Sequence, residues 1–513
     1  MISETIGRMV DYAGLAHQAY QLRQSEQIEI QERVRRHLSE RMGRMRGLPQ
    51  KLGQILSLDD PGGTATEEYT SLRDDASALP FETVLPIMEK QWNTSATSLF
   101  RSIDETAHAA SLGQVHRGVL NDGREVAIKV QYPGVHQAVR MDLKMLGWLS
   151  LPVGNLRRGF DLQKYRQVIL DDLDEELDYR LEAENQRAFA TWASDSSNFC
   201  VPKVIDELSG EQVLVSQWIE GETWDEVRSS WPDNLRKVLA RNMAKFFIEG
   251  LFLRGMMHAD WHPGNIRFLR QDGQARILLY DFGCVFKPRS DEIIALARLI
   301  RASGRRDESP WPLFLKLGFD EEYLSPLAAK LPALCHVLFE PFCVEYPYRM
   351  DQWQLSERVG DILGDDRWNF RIAGPASLIF LMRAFHGLKY YLEKLEVELP
   401  WRPFIGPMLA QLEPQMNNLS LPDNLAAKPS FDSMAKYLKI RVRQDGRTRA
   451  ELSSYASNID NLDSLIDEDV KQRIVNKGLR LDKIVSDIRR RGYTPGPVFQ
   501  LEDNGKQVDV WLE

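Results

Sequence analysis

The run His258-Ala259-Asp260-Trp261-His262-Pro263-Gly264-Asn265, followed by a hairpin pattern and then Asp281-Phe282-Gly283, constrains this 513-residue chain more than any other feature. Phosphoryl transfer asks a protein for little covalent chemistry; it needs an oriented nucleophile and metal ions held against phosphates. Asp260 supplies a carboxylate able to orient a hydroxyl or water, or to accept its proton. Asn265 offers an amide oxygen and Asp281 a charged oxygen, the hard ligands that magnesium shares with phosphates. Between them, strands are predicted at Asn265–Leu269 and Arg276–Tyr280, turning through Gln271-Asp272-Gly273-Gln274. Either half alone is a weak signal, but both in this order across a hairpin are specific.

A second hairpin lies upstream, with strands predicted at Ser111–Val119 and Glu125–Gln131 around Asn121-Asp122-Gly123. Its second strand carries Val126-Ala127-Ile128-Lys129, placed where a protein kinase keeps its nucleotide lysine, just as the D-x-x-x-x-N spacing and the DFG lie where kinases keep theirs. The helix predicted over Glu175–Asn185 contains Glu176, Asp178, Glu182 and Glu184. Alone, this acidic run reads as a solvated face; beside the other motifs, one of its glutamates is expected to pair with Lys129. The glycine-rich phosphate loop is missing. In Ala107-His108-Ala109-Ala110-Ser111-Leu112-Gly113 only Gly113 remains, and alanine keeps a Cβ near the nucleotide and resists positive φ, so the cradle must differ.

The rest of the chain divides around these motifs. Residues 1–100 read as a helical N-terminal extension with a basic run from Arg33 to Lys51, and a helix is expected to start near Phe81. Residues 101–425 form the domain carrying the motifs, with one lobe at about 101–220 and another at 221–425. Residues 135–195 read as mostly helical. Strands are expected at Val201–Val204 and Gln212–Trp218, with Glu220 just beyond counted among the nucleotide-binding residues. A helix is expected over Trp231–Arg254, and helices from Asp291 to about Leu419. A linker at 420–434 leads to a small α+β module at 435–513, with hairpins at Leu438–Val442/Arg447–Leu452 and at Asp503-Asn504-Gly505, and helices near 462–475 and 480–491.

A net charge of −9 argues against bulk nucleic-acid binding. The four cysteines form no CxxC, so a disulfide framework or zinc site is not expected and a reducing cytoplasm fits. The opening residues do not read as a signal peptide. No stretch reaches the roughly 18 apolar residues of a spanning helix. Ile372–Met382, interrupted at Arg383, reads as a buried core helix. Any membrane contact would be peripheral, through attraction of the basic run to an anionic surface, although a solvated helix face is the plainer account of that run.

At this point the chain resembles the UbiB/AarF family of atypical kinase-like proteins. Lys51-Leu52-Gly53-Gln54 is similar to its K-x-G-Q signature, and Ala109-Ala110-Ser111 to its alanine-rich loop. Glu176-Leu177-Asp178 is similar to its E-x-D, Glu182 to the lysine's partner, and His258–Asn265 and Asp281–Gly283 to its catalytic loop and metal-binding DFG. The resemblance implies an α+β, bilobal protein-kinase-like fold and an ATP- or ADP-binding, magnesium-dependent site. In that site Asp260, Lys129 and Glu182 are catalytic, Ala109, Ala110, Ser111, Lys129 and Glu220 hold nucleotide, and Asn265 and Asp281 hold metal. It also implies that Lys51 and Gln54 occlude the cleft, with Lys51 against Glu176 or Asp178, and that the activity supports isoprenoid-quinone or lipid metabolism. Trp261 departs from the family's proline and is expected to pack. Residues 435–513 fall outside the family core and read as an interaction module for a protein partner.

Three other functions compete. A protein kinase acting in trans lacks support because no A-P-E follows Asp281-Phe282-Gly283 and a helix is expected by Asp291. A small-molecule phosphotransferase of the aminoglycoside- or choline-kinase type would have neither Lys51-x-Gly53-Gln54 nor Ala109-Ala110. A non-catalytic nucleotide-binding scaffold would have no chemical need for both Asp260 and Asp281.

Overall fold

The computed structural model describes residues 78–110, 112–137, 139–140, 162–271, 273–422, 430–445, 447–466, 468–503 and 506–513. Lys51, Gln54, Ser111 and the basic run lie outside them. The chain divides into two compact units: one comprises residues up to Lys287 together with Ala376–Val397, the other Pro288–Pro375 with Glu398–Glu513.

The first unit begins with α1 (Phe81–Trp92), which buries Val84 and Met88, one helical turn apart, and ends where Asn93 turns left-handed at φ 52°. Five strands follow: β1 (Phe100–Ile103), β2 (His108–Ala109), β3 (Gly113–Leu120), β4 (Glu125–Gln131) and, later in the chain, β6 (Val213–Gln217). Their order is β1-β3-β4-β6, with β2 paired to β3. The β3–β4 hairpin forms as its Asn-Asp-Gly turn predicts, with Gly123 at φ 92° and Val115 opposite Lys129. Alternation sets the faces: Val126, Ile128 and Val130 are buried with Val84 and Met88, which turns Lys129 to the opposite side.

Helices α2 (Leu162–Glu176) and α3 (Tyr179–Ser194) follow, and the Asp178 carboxylate caps α3 by accepting from the Arg180 N–H. The strand expected at Val201–Val204 is displaced. The chain pairs earlier, as β5 (Phe199–Cys200), and Val204 makes only an isolated bridge to Ser216. Pro202 has no N–H to continue a ladder. Beyond α4 (Trp224–Ser230), the predicted Trp231–Arg254 helix starts at Asp233, because Trp231 closes α4 and Pro232 caps α5 (Asp233–Glu249); a π-type turn, Gly250–Arg254, extends it. Then come β7 (Met257–His258), β8 (Ile266–Gln271), β9 (Gln274–Leu279) and β10 (Val285–Phe286). β9 lies between β5 and β8, and β10 pairs with β7.

The expected core helix Ile372–Met382 is not one helix. One helix ends at Ala373 and α6 (Leu378–Leu395) starts only after Gly374-Pro375. Met382 is 49% exposed whereas Arg383, read as the interruption, is buried. No helix among the described residues is long and apolar enough to cross a membrane.

The second unit contains the helices predicted after Asp291, starting at Ser290 and excluding α6, and a sheet of β11 (Tyr437–Gln444), β12 (Arg447–Tyr455), β13 (Gly496–Asp503) and β14 (Lys506–Leu512), in the order β12-β11-β14-β13. Both predicted hairpins form. A buried ionic network joins the parts of this unit. Arg358 bonds Glu340 at 2.5 Å and Asp460 at 2.7 Å, and Arg489 reaches Asp460 at 2.7 Å. His336, Glu340 and Asp460 have donor atoms within 4.8 Å of one another, but the two guanidiniums already hold these carboxylates, so the cluster is not read as a metal site.

Candidate active site

Helix α3 and the DFG segment of the first unit meet at Lys129. Its Nζ donates to Glu182 Oε1 at 2.6 Å and Oε2 at 2.8 Å, and to Asp281 Oδ2 at 3.1 Å. Glu182 sits in the first turn of α3 on its buried stripe with Tyr179, Ala183 and Gln186, whereas Glu184 faces solvent. Helical spacing therefore selects Glu182 from the acidic run. The Tyr179 ring lies 5.1 Å from the ammonium. Burial works to lower the Lys129 pKa, but Asp281 and Glu182 outweigh it, and the net shift is upward. Lys129 is thus a fixed cation, suited to phosphate and not to proton transfer.

The DFG is held from both sides. Phe282 is fully buried, packs on Phe189 with ring centroids 5.3 Å apart, and donates its N–H to Glu182 Oε1 at 3.3 Å. The Gly283 N–H donates to Asp281 Oδ1 at 3.0 Å. The lysine–glutamate pair and the DFG aspartate are in place together, the condition kinases require for activity.

The catalytic loop is tied to the DFG by backbone and by one histidine. β7 pairs with β10, and the Ala259 N–H donates to the Cys284 carbonyl at 3.0 Å. His258 Nε2 bonds the Asp281 carbonyl, and its Nδ1 accepts from the Asp260 N–H at 3.3 Å. Those partners assign a neutral ring with the proton on Nε2. Burial also lowers the His258 pKa. His258 is therefore structural. His262 likewise accepts from the Gly264 N–H at 3.0 Å and shapes the turn.

Asn265 Nδ2 donates to Asp260 Oδ2 at 2.8 Å, which leaves the amide oxygen for another ligand. The Tyr280 N–H donates to the Asn265 carbonyl at 3.0 Å, keeping Asn265 beside the DFG. An amide oxygen and a carboxylate, both held from behind, are a donor set that fits magnesium.

The other predicted residues are placed unevenly. Ala109 ends β2 opposite Gln114, and the Ala110 N–H donates to the Gly113 carbonyl at 2.8 Å, closing the alanine loop on β3. A Cβ at Gly113 would lie 2.2 Å from the Val130 carbonyl oxygen, which explains the one glycine kept there. Glu176 lines the DFG, its Cγ lying 3.4 Å from where a Gly283 Cβ would sit. Asp178 is engaged in capping α3 and in the Arg180 ion pair at 2.7 Å. Glu220 is 73% exposed and pairs with Arg117 at 3.1 Å. Cys284 is a buried neighbour of the DFG.

Two residues escaped the sequence reading. Tyr179 lies beside Lys129, and Arg383 on α6 reaches Asp260 Oδ1 at 3.3 Å. The signal for Arg383 was present: a lone charge inside an apolar run is either a break or a buried ion pair.

Comparison with known proteins finds kinase-like relatives. A family model described as the ABC1 atypical kinase-like domain matches residues 71–310. The chain is 32% identical over 247 residues to the atypical kinase coq-8 of Caenorhabditis elegans, covering 47% of this chain and 32% of that protein. It is 28% identical over 335 residues to atypical kinase COQ8B of Rattus norvegicus, covering 62% and 61%. The chain thus spans less than two thirds of the length of either relative. A solved structure of Rv3197 with erythromycin, from Mycobacterium tuberculosis, is 29% identical and covers 73% of this chain and 95% of that one at a TM-score of 0.52. Residues 71–310 are thus similar to the ABC1 atypical kinase-like domain, and these relatives support the resemblance to the UbiB/AarF family, with a mixed α+β, kinase-like fold.

Proposed function

We propose that the first unit binds ATP with magnesium and turns it over, by hydrolysis or by phosphoryl transfer to a small or lipid-like acceptor. The observation carrying this reading is Lys129 bridging Glu182 and Asp281 while Asn265 holds Asp260. Lys129 would meet the phosphates, and Ala109, Ala110 and Ser111 would lie along them. Glu220, next to Ile219 whose carbonyl accepts from the Tyr280 hydroxyl at 2.7 Å, would border the base. Asn265 and Asp281 would hold magnesium, which supplies charge neutralisation between the phosphates when bound. Asp260 would orient the attacking hydroxyl or water.

Only a short segment separates β10, ending at Phe286, from the helix starting at Ser290, which leaves little room for a peptide-docking activation loop. That favours hydrolysis or a small acceptor over protein phosphorylation in trans. A link to isoprenoid-quinone or lipid metabolism follows from the family resemblance. A cytoplasmic protein meeting anionic membranes through Arg33–Lys51, occlusion by Lys51 and Gln54, and a protein partner for residues 435–513 complete the proposal.

The deciding experiment measures phosphate release and nucleotide binding by the purified full chain, with and without magnesium, anionic liposomes and quinone-like phenols. Absence of magnesium-dependent nucleotide binding, with Asp281→Asn behaving as wild type, would sink the reading. Binding without turnover would favour a scaffold. Liposome binding that survives about 0.5 M salt would remove the electrostatic role of the basic run.

A further inference from the structure

The catalytic loop rests on a helix from much later in the chain. Arg383, Gly387 and Tyr391 are four residues apart on α6 and share one face. Arg383, only 7% exposed, places Nη2 at 3.3 Å from Asp260 Oδ1 and Nη1 at 3.6 Å from Cys284 Sγ. One turn on, a Cβ at Gly387 would lie 2.2 Å from Trp261 Cβ, so helix and loop touch backbone to side chain. One further turn on, the Tyr391 ring lies 6.3 Å from that of Trp261 and 4.7 Å from that of Trp224.

This stripe gives Trp261 a purpose. Its indole donates to the His258 carbonyl at 2.9 Å, and its ring fixes the distance between loop and helix. That distance delivers a guanidinium to Asp260. A guanidinium stays charged and must find an anion when buried. Here the anion is the carboxylate of the catalytic loop. Its two oxygens are held separately, Oδ1 by Arg383 and Oδ2 by Asn265. Neither partner accepts a proton, so both orient Asp260 without competing for the proton of a nucleophile.

We propose that Arg383 is a positioning residue that fixes the Asp260 carboxylate toward the attacking water or hydroxyl. The proposal rests on the ATP-using reading of the site. In this role Arg383 acts through Asp260.

The test uses the full chain, with steady-state ATP hydrolysis, equilibrium binding of a fluorescent ATP analogue and thermal melting. Arg383→Met removes the charge and keeps the length. Its kcat should fall about 100-fold, the scale of a misplaced catalytic group. KM and the analogue's Kd should stay within about twofold of wild type, because nucleotide contacts are intact. Arg383→Lys should fall between the two, and guanidinium ion at non-denaturing concentration should restore part of the rate of Arg383→Ala. The proposal is overturned if Arg383→Met keeps wild-type kcat, or if kcat, nucleotide affinity and melting temperature fall together with no rescue. Should Arg383→Met fail to fold, the kcat–KM split in Arg383→Lys decides. Wild-type protein without turnover would mark failure of the ATP-using reading; active wild type with unaffected variants would mark failure of the clamp.

Discussion

Gly387 lies directly beneath Trp261, so close that no other residue type fits without moving one of them. In a helix interior, glycine to alanine normally stabilises by up to about 1 kcal/mol. Here the added methyl would overlap the tryptophan, and overpacking of this kind costs about 1–3 kcal/mol. Gly387→Ala should therefore lower the urea midpoint despite its better helix propensity. Adding Trp261→Leu should not recover the loss, because leucine keeps the Cβ that the new methyl meets. An increase in stability on Gly387→Ala alone would contradict the packing.

Lys129→Met should be far more damaging to the fold than Glu182→Gln. The first leaves the buried Glu182 carboxylate, 2% exposed, facing Asp281 without its cation. Breaking a buried pair from one side costs about 3–5 kcal/mol. The second removes a charge while keeping an acceptor for the Phe282 N–H. Denaturant unfolding of both variants at neutral pH gives the comparison; equal losses would mean that Glu182 is not held as an ion.

Ligand-linked melting should expose the role of Asp281. ATP with magnesium should raise the wild-type melting temperature by more than ATP alone, as expected for ligands that bind only the folded state. Asp281→Asn keeps the side-chain volume and loses the charged oxygen. It should abolish the magnesium increment, and an increment equal to wild type would remove Asp281 from the metal set.

His336 should make the protein acid-sensitive. Burial, then the charges of Arg306 and Arg358, push its pKa from 6.5 down to about 3. Between those values the unfolded chain takes up a proton that the folded chain refuses. Stability is therefore complete above about pH 6.5 and falls with decreasing pH, by at most about 1.4 kcal/mol per unit from this group. Urea midpoints at pH 7.5, 6.5 and 5.5 should show a steeper decline in wild type than in His336→Phe. Parallel curves would show that the ring is protonated in the folded state.

The two hairpins flanking the nucleotide lysine and the metal ligands were legible because Asn-Asp-Gly and Asp-Gly turns fix chain reversal locally, and alternation fixes the face of Lys129. Glu182 needed more: the acidic run offered several candidates, and only helical spacing against Tyr179 and Gln186 buries one. The Val201–Val204 strand failed because β propensity was weighed without the missing N–H of Pro202. Arg383 failed for a different reason. Its partner lies in a distant segment, so nothing local separates a helix-breaking charge from a buried ion pair. Glu220 shows the converse: it occupies the expected stretch, but its side chain points to solvent and Arg117.

The dependence of Asp260 on α6 has a temporal side. During synthesis, the chain releases Lys129, Glu182, Asp260 and Asp281 well before it releases Arg383 and Gly387. Even a nascent chain long enough to contain the whole matched stretch, residues 71–310, would still lack the helix beneath its catalytic loop. Any competence that depends on α6 can therefore appear only after residue 395 has been made, which would delay ATP consumption until then.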